Sequence, residues 1–453
     1  MITPTCTPVR AAAPITWPPG GDDPRTGRSA HRLERRATSD DRELMRSPTP
    51  ARHHLDHSEE PAATPLSVRV AAAHGSTPTG DRLVGPDLAR GGMLLLIALA
   101  NIHAFTHGFR PGYRGYPDAQ SALDQVFTVA QMLLVDGRAF PLFAALLGYG
   151  LVQFVQRRAV VAPDLEPVRA LRRRGAWLVA IGFVHAMLLF TADIIALYGL
   201  VALLFAGVVA RSSDRRLLVA AAWLAVPATA FGAGRGLPAS ALGDDAVVTA
   251  TALLLDGASW PELAARGQEW AINLLRVLGL APAVLLGAWA GRWRALSTPA
   301  LAPTLRRVAL VGLVLGTAGG VPAALMAATV WTSAPTVVSL GAGALHLVSG
   351  YGVAAAYLAL FALAAARTGR PGVLARPLVA SGQRSMTLYL LQSVTLLVLT
   401  HPVLAGLGDD LGIALLSAVA VGVWLLGVLL AVAMHAAGVR GPAEIALRRL
   451  AGS

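Results

Sequence analysis

Between Asp409-Asp410 and Arg440 runs Leu411–His435, LGIALLSAVAVGVWLLGVLLAVAMH, without a single Asp, Glu, Lys or Arg. About 20 mainly apolar residues in a helix cross the roughly 30 Å hydrocarbon layer of a bilayer, where the backbone has only itself to bond. Leu411–His435 meets that demand, with acids at one end and arginine at the other. The same pattern recurs upstream in nine further segments: Gly92–His107, Phe140–Phe154, Ala176–Phe190, Ile194–Ala210, Leu217–Phe231, Ile272–Gly291, Val308–Val330, Leu340–Ala366 and Leu378–Leu399. The expected fold is an all-α, polytopic transmembrane helix bundle of about ten spans. Asp124–Asp136 is amphipathic and too short to cross, so it is expected at the membrane surface ahead of the second span.

Composition agrees. The 453 residues are 55% hydrophobic and 14% charged with a mean hydropathy of +0.57, against about a quarter charged in soluble domains. All 38 basic residues are Arg, and the prevalence of Ala, Gly, Leu, Val and Arg is a codon effect of a GC-rich genome. The net charge of +12 would suggest nucleic acid, but it follows the loops. Connections bearing Arg157, Arg158 and Arg169–Arg174, then Arg211–Arg216, Arg292–Arg307, Arg367–Arg376 and Arg440–Arg449 alternate with acid-rich ones bearing Asp118, Asp244, Asp245, Asp409 and Asp410. Roughly 21 Arg and 4 acids fall on one side, roughly 6 Arg and 11 acids on the other. The positive-inside rule makes the first side cytoplasmic, with both termini there. No nucleic-acid partner is needed.

Residues 1–86 carry little apolar periodicity and many Arg, Pro, Ser and Thr, so a disordered cytoplasmic tail is expected ahead of a membrane domain at 87–453. The tail shows no signal-peptide pattern, and a start codon assigned too far upstream would account for much of it equally well. It holds the lone Cys6, which excludes a disulfide framework within one chain, and His53, His54 and His57, for which no metal role is expected. The connection Gly232–Ala271 is polar enough for a cap or lid, with Trp260 and Trp270 as interfacial anchors. No repeat of solenoid period or pair of matching broken spans is seen.

Polar groups inside spans are costly and mark functional candidates. Asp87 and Arg90 sit at the mouth of the first span, where they can cap and orient it, and are followed by Asn101 and His103. His185 is expected near mid-span, where a buried imidazole either bonds another helix or moves protons. Asp193, eight residues on, would lie about 12 Å away along a continuous helix; it either caps the next span, which carries Tyr198, or serves chemistry. Arg138 can pair with Asp136, Asp193 or an anion, or snorkel to lipid phosphate. Ser381, Ser385, Tyr389 and Gln392 recur at near-helical spacing and form one polar stripe, extended by Arg384, that lines a cavity or joins helices.

The order and spacing of several motifs resemble the YeiB-like bacterial integral membrane proteins, a family with a domain of unknown function. These are Asp87-x-x-Arg90-Gly91, Phe140-Pro-Leu-Phe143 with Gly148-x-Gly150, Gly182-x-x-His185 with Asp193-Ile194 and Tyr198, Gly382-x-Arg384 with Thr387-x-Tyr389-Leu-Leu-Gln392, and Gly441-Pro442-x-Glu444. The resemblance runs over all ten spans, with the family's carboxy-terminal part at about 272–453; Leu388 stands where the family has Asn, and Ile445 and Leu447 where it has aromatics. The family is distantly similar to membrane acyltransferases. That implies an enzyme of the bacterial cytoplasmic membrane passing an acyl group from a cytoplasmic thioester such as acyl-CoA to a small-molecule, lipid or glycan acceptor, with no bound cofactor or metal. His185 and His103 are its candidate proton-transfer groups; Asp87, Arg90, Asn101, Arg138, Asp193, Tyr198, Arg384, Tyr389 and Gln392 are candidates for the donor and substrate path. A small-metabolite transporter and a non-catalytic structural or regulatory membrane protein are the competing classes.

Overall fold

The computed structural model describes residues 84–107, 109–161, 166–237, 259–366, 372–373 and 375–452. The expected tail, Cys6, His53, His54, His57, Asp244, Asp245, Arg367 and Arg370 lie outside them. Every described element is helical: α1 Val84–Asn101, α2 Ala122–Leu134, α3 Ala139–Val161, α4 Pro167–Leu188, α5 Ile195–Arg211, α6 Asp214–Gly234, α7 Trp260–Leu274, α8 Val277–Arg292, α9 Ala302–Ala327, α10 Thr336–Ala366, α11 Ala375–Gly382, α12 Ser385–Thr400, α13 Ile413–Ala436 and α14 Pro442–Ala451.

Helix starts carry the expected chemistry. Ser121, Ser213 and Ser259 cap α2, α6 and α7, Ser259 in a capping box with Glu262, and Pro167 opens α4. Among the described residues, seven helical segments are long and apolar enough to cross a membrane, and Ile195–Arg211 and Ser385–Thr400 are shorter apolar helices. The bundle turns apolar side chains outward along these helices: Trp223 is 74% exposed and Leu429 67%. Water would penalise such a surface, so the chain is a multi-pass integral membrane protein.

Asp124–Asp136 is helical, and α2 packs on α9 and α13 and buries Thr128, Gln131 and Met132. Gln131 Nε2 donates to Ser417 Oγ at 2.6 Å, and Asp124 Oδ1 accepts the Ala414 N–H at the start of α13 at 2.9 Å. Its polar residues cap and join neighbouring helices. One expectation is corrected: Leu378–Leu399 is not one helix. It breaks at Arg384 (φ −121°, ψ 23°), so Ser381 and Ser385 belong to different helices and the continuous polar stripe does not exist. The break sits beside a close contact: an added Cβ at Gly382 would overlap the Asp87 carbonyl, and one at Gly91 the Leu378 carbonyl, so α11 and α1 touch backbone to backbone.

Candidate functional site

The helix α4 stops after Leu188, and the following turn reverses the chain. Asp193 is thereby brought back to the last turn of α4, where His185 Nδ1 lies 2.9 Å from Asp193 Oδ1, with both side chains buried. The continuous helix that would have separated them is absent. Asp193 Oδ2 accepts the Ala196 N–H at 2.6 Å in the first turn of α5, so one carboxylate both caps a helix and faces an imidazole. Gly182 makes this possible: an added Cβ would overlap Asp193 Oδ2 and Ala196 N. The spacing Gly182-x-x-His185 thus places space for the carboxylate one helical turn from the imidazole it faces.

The Tyr389 ring centroid lies 5.3 Å from that of His185, and its hydroxyl receives the Ile194 N–H at 3.4 Å. Tyr198 stacks on Phe143 at 4.1 Å and is within electrostatic reach of Tyr389, Asp193 and Arg90. The approach of His185 to Asp193 is close but off the line of a hydrogen bond. Both imidazole nitrogens, Tyr198 Oη and Gln392 Oε1 are buried without a hydrogen-bond partner in the protein. Such an imidazole can take a proton at Nε2 while the carboxylate steadies the cation formed.

Beside this dyad, across the turn bearing Phe190 and Ala192, opens a cavity of about 230 Å³. Asn101 at the end of α1 and His103 in the turn after it line the cavity, whereas His185 and Asp193 do not. Four groups that sequence reasoning missed also line it: Arg114, Arg235, Arg276 and His346. His103 stacks on Tyr116 at 4.4 Å, and its Nδ1 is buried without a partner. Arg114 reaches Asp136 with two hydrogen bonds, at 2.9 and 3.1 Å. Burial opposes the charge of Arg114, but the Asp136 carboxylate outweighs it and raises the guanidinium above its ordinary value. Arg235 stands exposed at the rim, and Arg276 lies over the Phe140 ring at 5.4 Å. One signal was available: Arg114, Arg138, Arg235 and Arg276 are arginines on the acid-rich side, where the loop pattern makes arginine scarce.

Arg138 neither snorkels nor pairs with a carboxylate. It is fully buried and donates to the carbonyls of Leu133 (3.1 Å), Asp136 (3.2 Å), His346 (3.1 Å) and Gly316 (3.2 Å), and its Nη1 lies 2.9 Å from both His346 ring nitrogens. It ties the α2–α3 corner to α9 and α10. The remaining candidates lie apart from the dyad. Asp87 and Arg90 pair at 3.0 Å in the first turns of α1. Arg384 donates to the carbonyls of Val439 (3.1 Å from Nε) and Ala380 (3.1 Å), clamping the α11–α12 break to the end of α13. Glu444 accepts the N–H groups of Met386 (2.8 Å) and Thr387 (3.3 Å), capping α12. The Gly441-Pro442-x-Glu444 motif is therefore a helix cap. Among the described residues no cluster of three or more His, Cys, Asp or Glu side chains could hold a metal.

No curated protein matches the chain. Residues 290–453, from the end of α8 through α14, match the family model described as "Protein of unknown function (DUF418)". That match supports the resemblance to the YeiB-like DUF418 family over the carboxy-terminal part of the chain.

Proposed function

We propose that this protein is a ten-span enzyme of the bacterial cytoplasmic membrane, with both termini in the cytoplasm, that transfers an acyl group from a cytoplasmic thioester to a hydroxyl acceptor. The observation that carries the reading is the buried His185–Asp193 pair with a vacant imidazole nitrogen. In this reading His185 Nε2 takes the acceptor's hydroxyl proton as its oxygen bonds to the thioester carbonyl carbon. The carbon–sulfur bond then breaks, and the proton passes from His185 to the departing thiolate. Asp193 holds the ring and stabilises the imidazolium. Arg90, only partly engaged by Asp87 and within electrostatic reach of Tyr198 and Arg174, offers positive charge for the donor's phosphates. The ten spans rest on the alternation of arginine-rich and acid-rich loops, and on a helix at each predicted segment.

The test is transfer of radiolabel from acyl-CoA to the lipid and glycan fractions of membranes carrying wild-type, His185→Ala or Asp193→Asn protein at equal abundance. Label appears with wild type and falls about a hundredfold or more in the variants. Equal labelling in all three membranes, or none with wild type, overturns the reading. A second class, carriage of a small anion, is favoured by the arginine-lined cavity; it predicts uptake into vesicles with no chemical change in the cargo.

A further inference from the structure

The cavity beside the dyad is charged beyond what the protein itself neutralises. Three guanidinium groups, Arg114, Arg235 and Arg276, line it, each within electrostatic reach of the others. Asp136 is the carboxylate in its wall, and both its oxygens are engaged by Arg114. Among the described residues Arg235 and Arg276 have no carboxylate partner, and Arg276 has only the face of Phe140. Two like charges at one cavity, Arg276 half-buried and Arg235 at the rim, repel each other, an arrangement that an anion between them would relieve. Phe140, Phe190, Phe231, Leu280 and Leu347 give the rest of the lining a large apolar share.

We propose that this cavity binds a phosphorylated ligand, its phosphate between Arg114, Arg235 and Arg276 and its remainder against Phe140 and Phe231. Two uncompensated cations match a dianion. Donors converging from three separate segments suit a tetrahedral phosphate, whereas a carboxylate is satisfied by one planar fork. His103, its ring held by Tyr116, lines the same space. The cavity volume of about 230 Å³ admits a phosphate with a glycerol-sized attachment. The phosphate can belong to a lipid headgroup or to a soluble ester. This inference is independent of acyl transfer.

Full-length protein in detergent would be titrated with glycerol 3-phosphate and with short-chain dioctanoyl phosphatidate, read by calorimetry, with chloride and glycerol as controls. Saturable binding of either phosphate probe is expected, weakened at least about tenfold by Arg276→Gln and by Arg235→Gln, and unchanged by Arg306→Gln at the far end of the chain's arginine-rich connections. Glycerol 3-phosphate binding identifies a soluble ester as sufficient; binding of phosphatidate alone identifies a lipid headgroup. Arg235 is exposed, so its variant keeps the fold, and an unchanged unliganded melt would verify that. Wild type that binds neither probe, or binding unaltered in the Arg235→Gln and Arg276→Gln proteins, overturns the proposal.

Discussion

Arg138 and Arg276 are both arginines at the junctions of apolar helices, and their surroundings are opposite. Arg138 spends its donors on four backbone carbonyls from three places in the chain and touches the His346 ring. Arg276 faces a cavity with an aromatic ring and other cations for company. A guanidinium surrounded by carbonyls is a bolt; a guanidinium with donors to spare points to a ligand. The same contrast separates two of the buried histidines, His346 fastened to Arg138 and His185 left with an open nitrogen beside Asp193.

The sharpest way to break the contrast is to remove the bolt. Arg138→Met should leave several buried carbonyls without donors and cost about 3–5 kcal/mol. The protein should then fail to accumulate as a monodisperse species in size-exclusion chromatography of solubilised membranes; a variant that melts like wild type would mean those hydrogen bonds hold nothing. Gly182→Ala comes next. Its methyl overlaps both the carboxylate and the start of α5, and a loss of about 1–3 kcal/mol is expected in thermal melts. Asp193→Asn should cost less, about 1 kcal/mol or under, because the amide oxygen still accepts the Ala196 N–H. It separates stability from chemistry: melts close to wild type together with lost acyl transfer assign Asp193 to the reaction. Glu444→Gln weakens the charged cap of α12, with about 0.5–1 kcal/mol expected. Arg235→Gln should shift stability least, within about 0.5 kcal/mol, since no protein partner is lost.

Much of this could be read along the chain. Each of the ten apolar segments contains helix, and Gly182, His185, Asp193, Tyr198 and Tyr389 stand out in the sequence as polar groups or motif positions within those segments. Their meeting was not foreseen. The segments Ala176–Phe190 and Ile194–Ala210 place a turn between them, but spacing along the chain does not say that this turn folds Asp193 back onto His185. The stripe from Ser381 to Gln392 failed because near-helical spacing assumes one continuous helix, and the helix is interrupted at Arg384. Arg114, Arg235 and Arg276 escaped notice because each, alone in its loop, looks like an ordinary exposed charge.

Membrane residence and the helical segments were therefore written in local composition, since lipid judges each stretch by its own apolar length and its own backbone hydrogen bonds. Which arginine became bolt and which lined a cavity was settled by packing between helices hundreds of residues apart. A side chain's partners come from every segment that surrounds it, and no window along one strand of sequence contains them all.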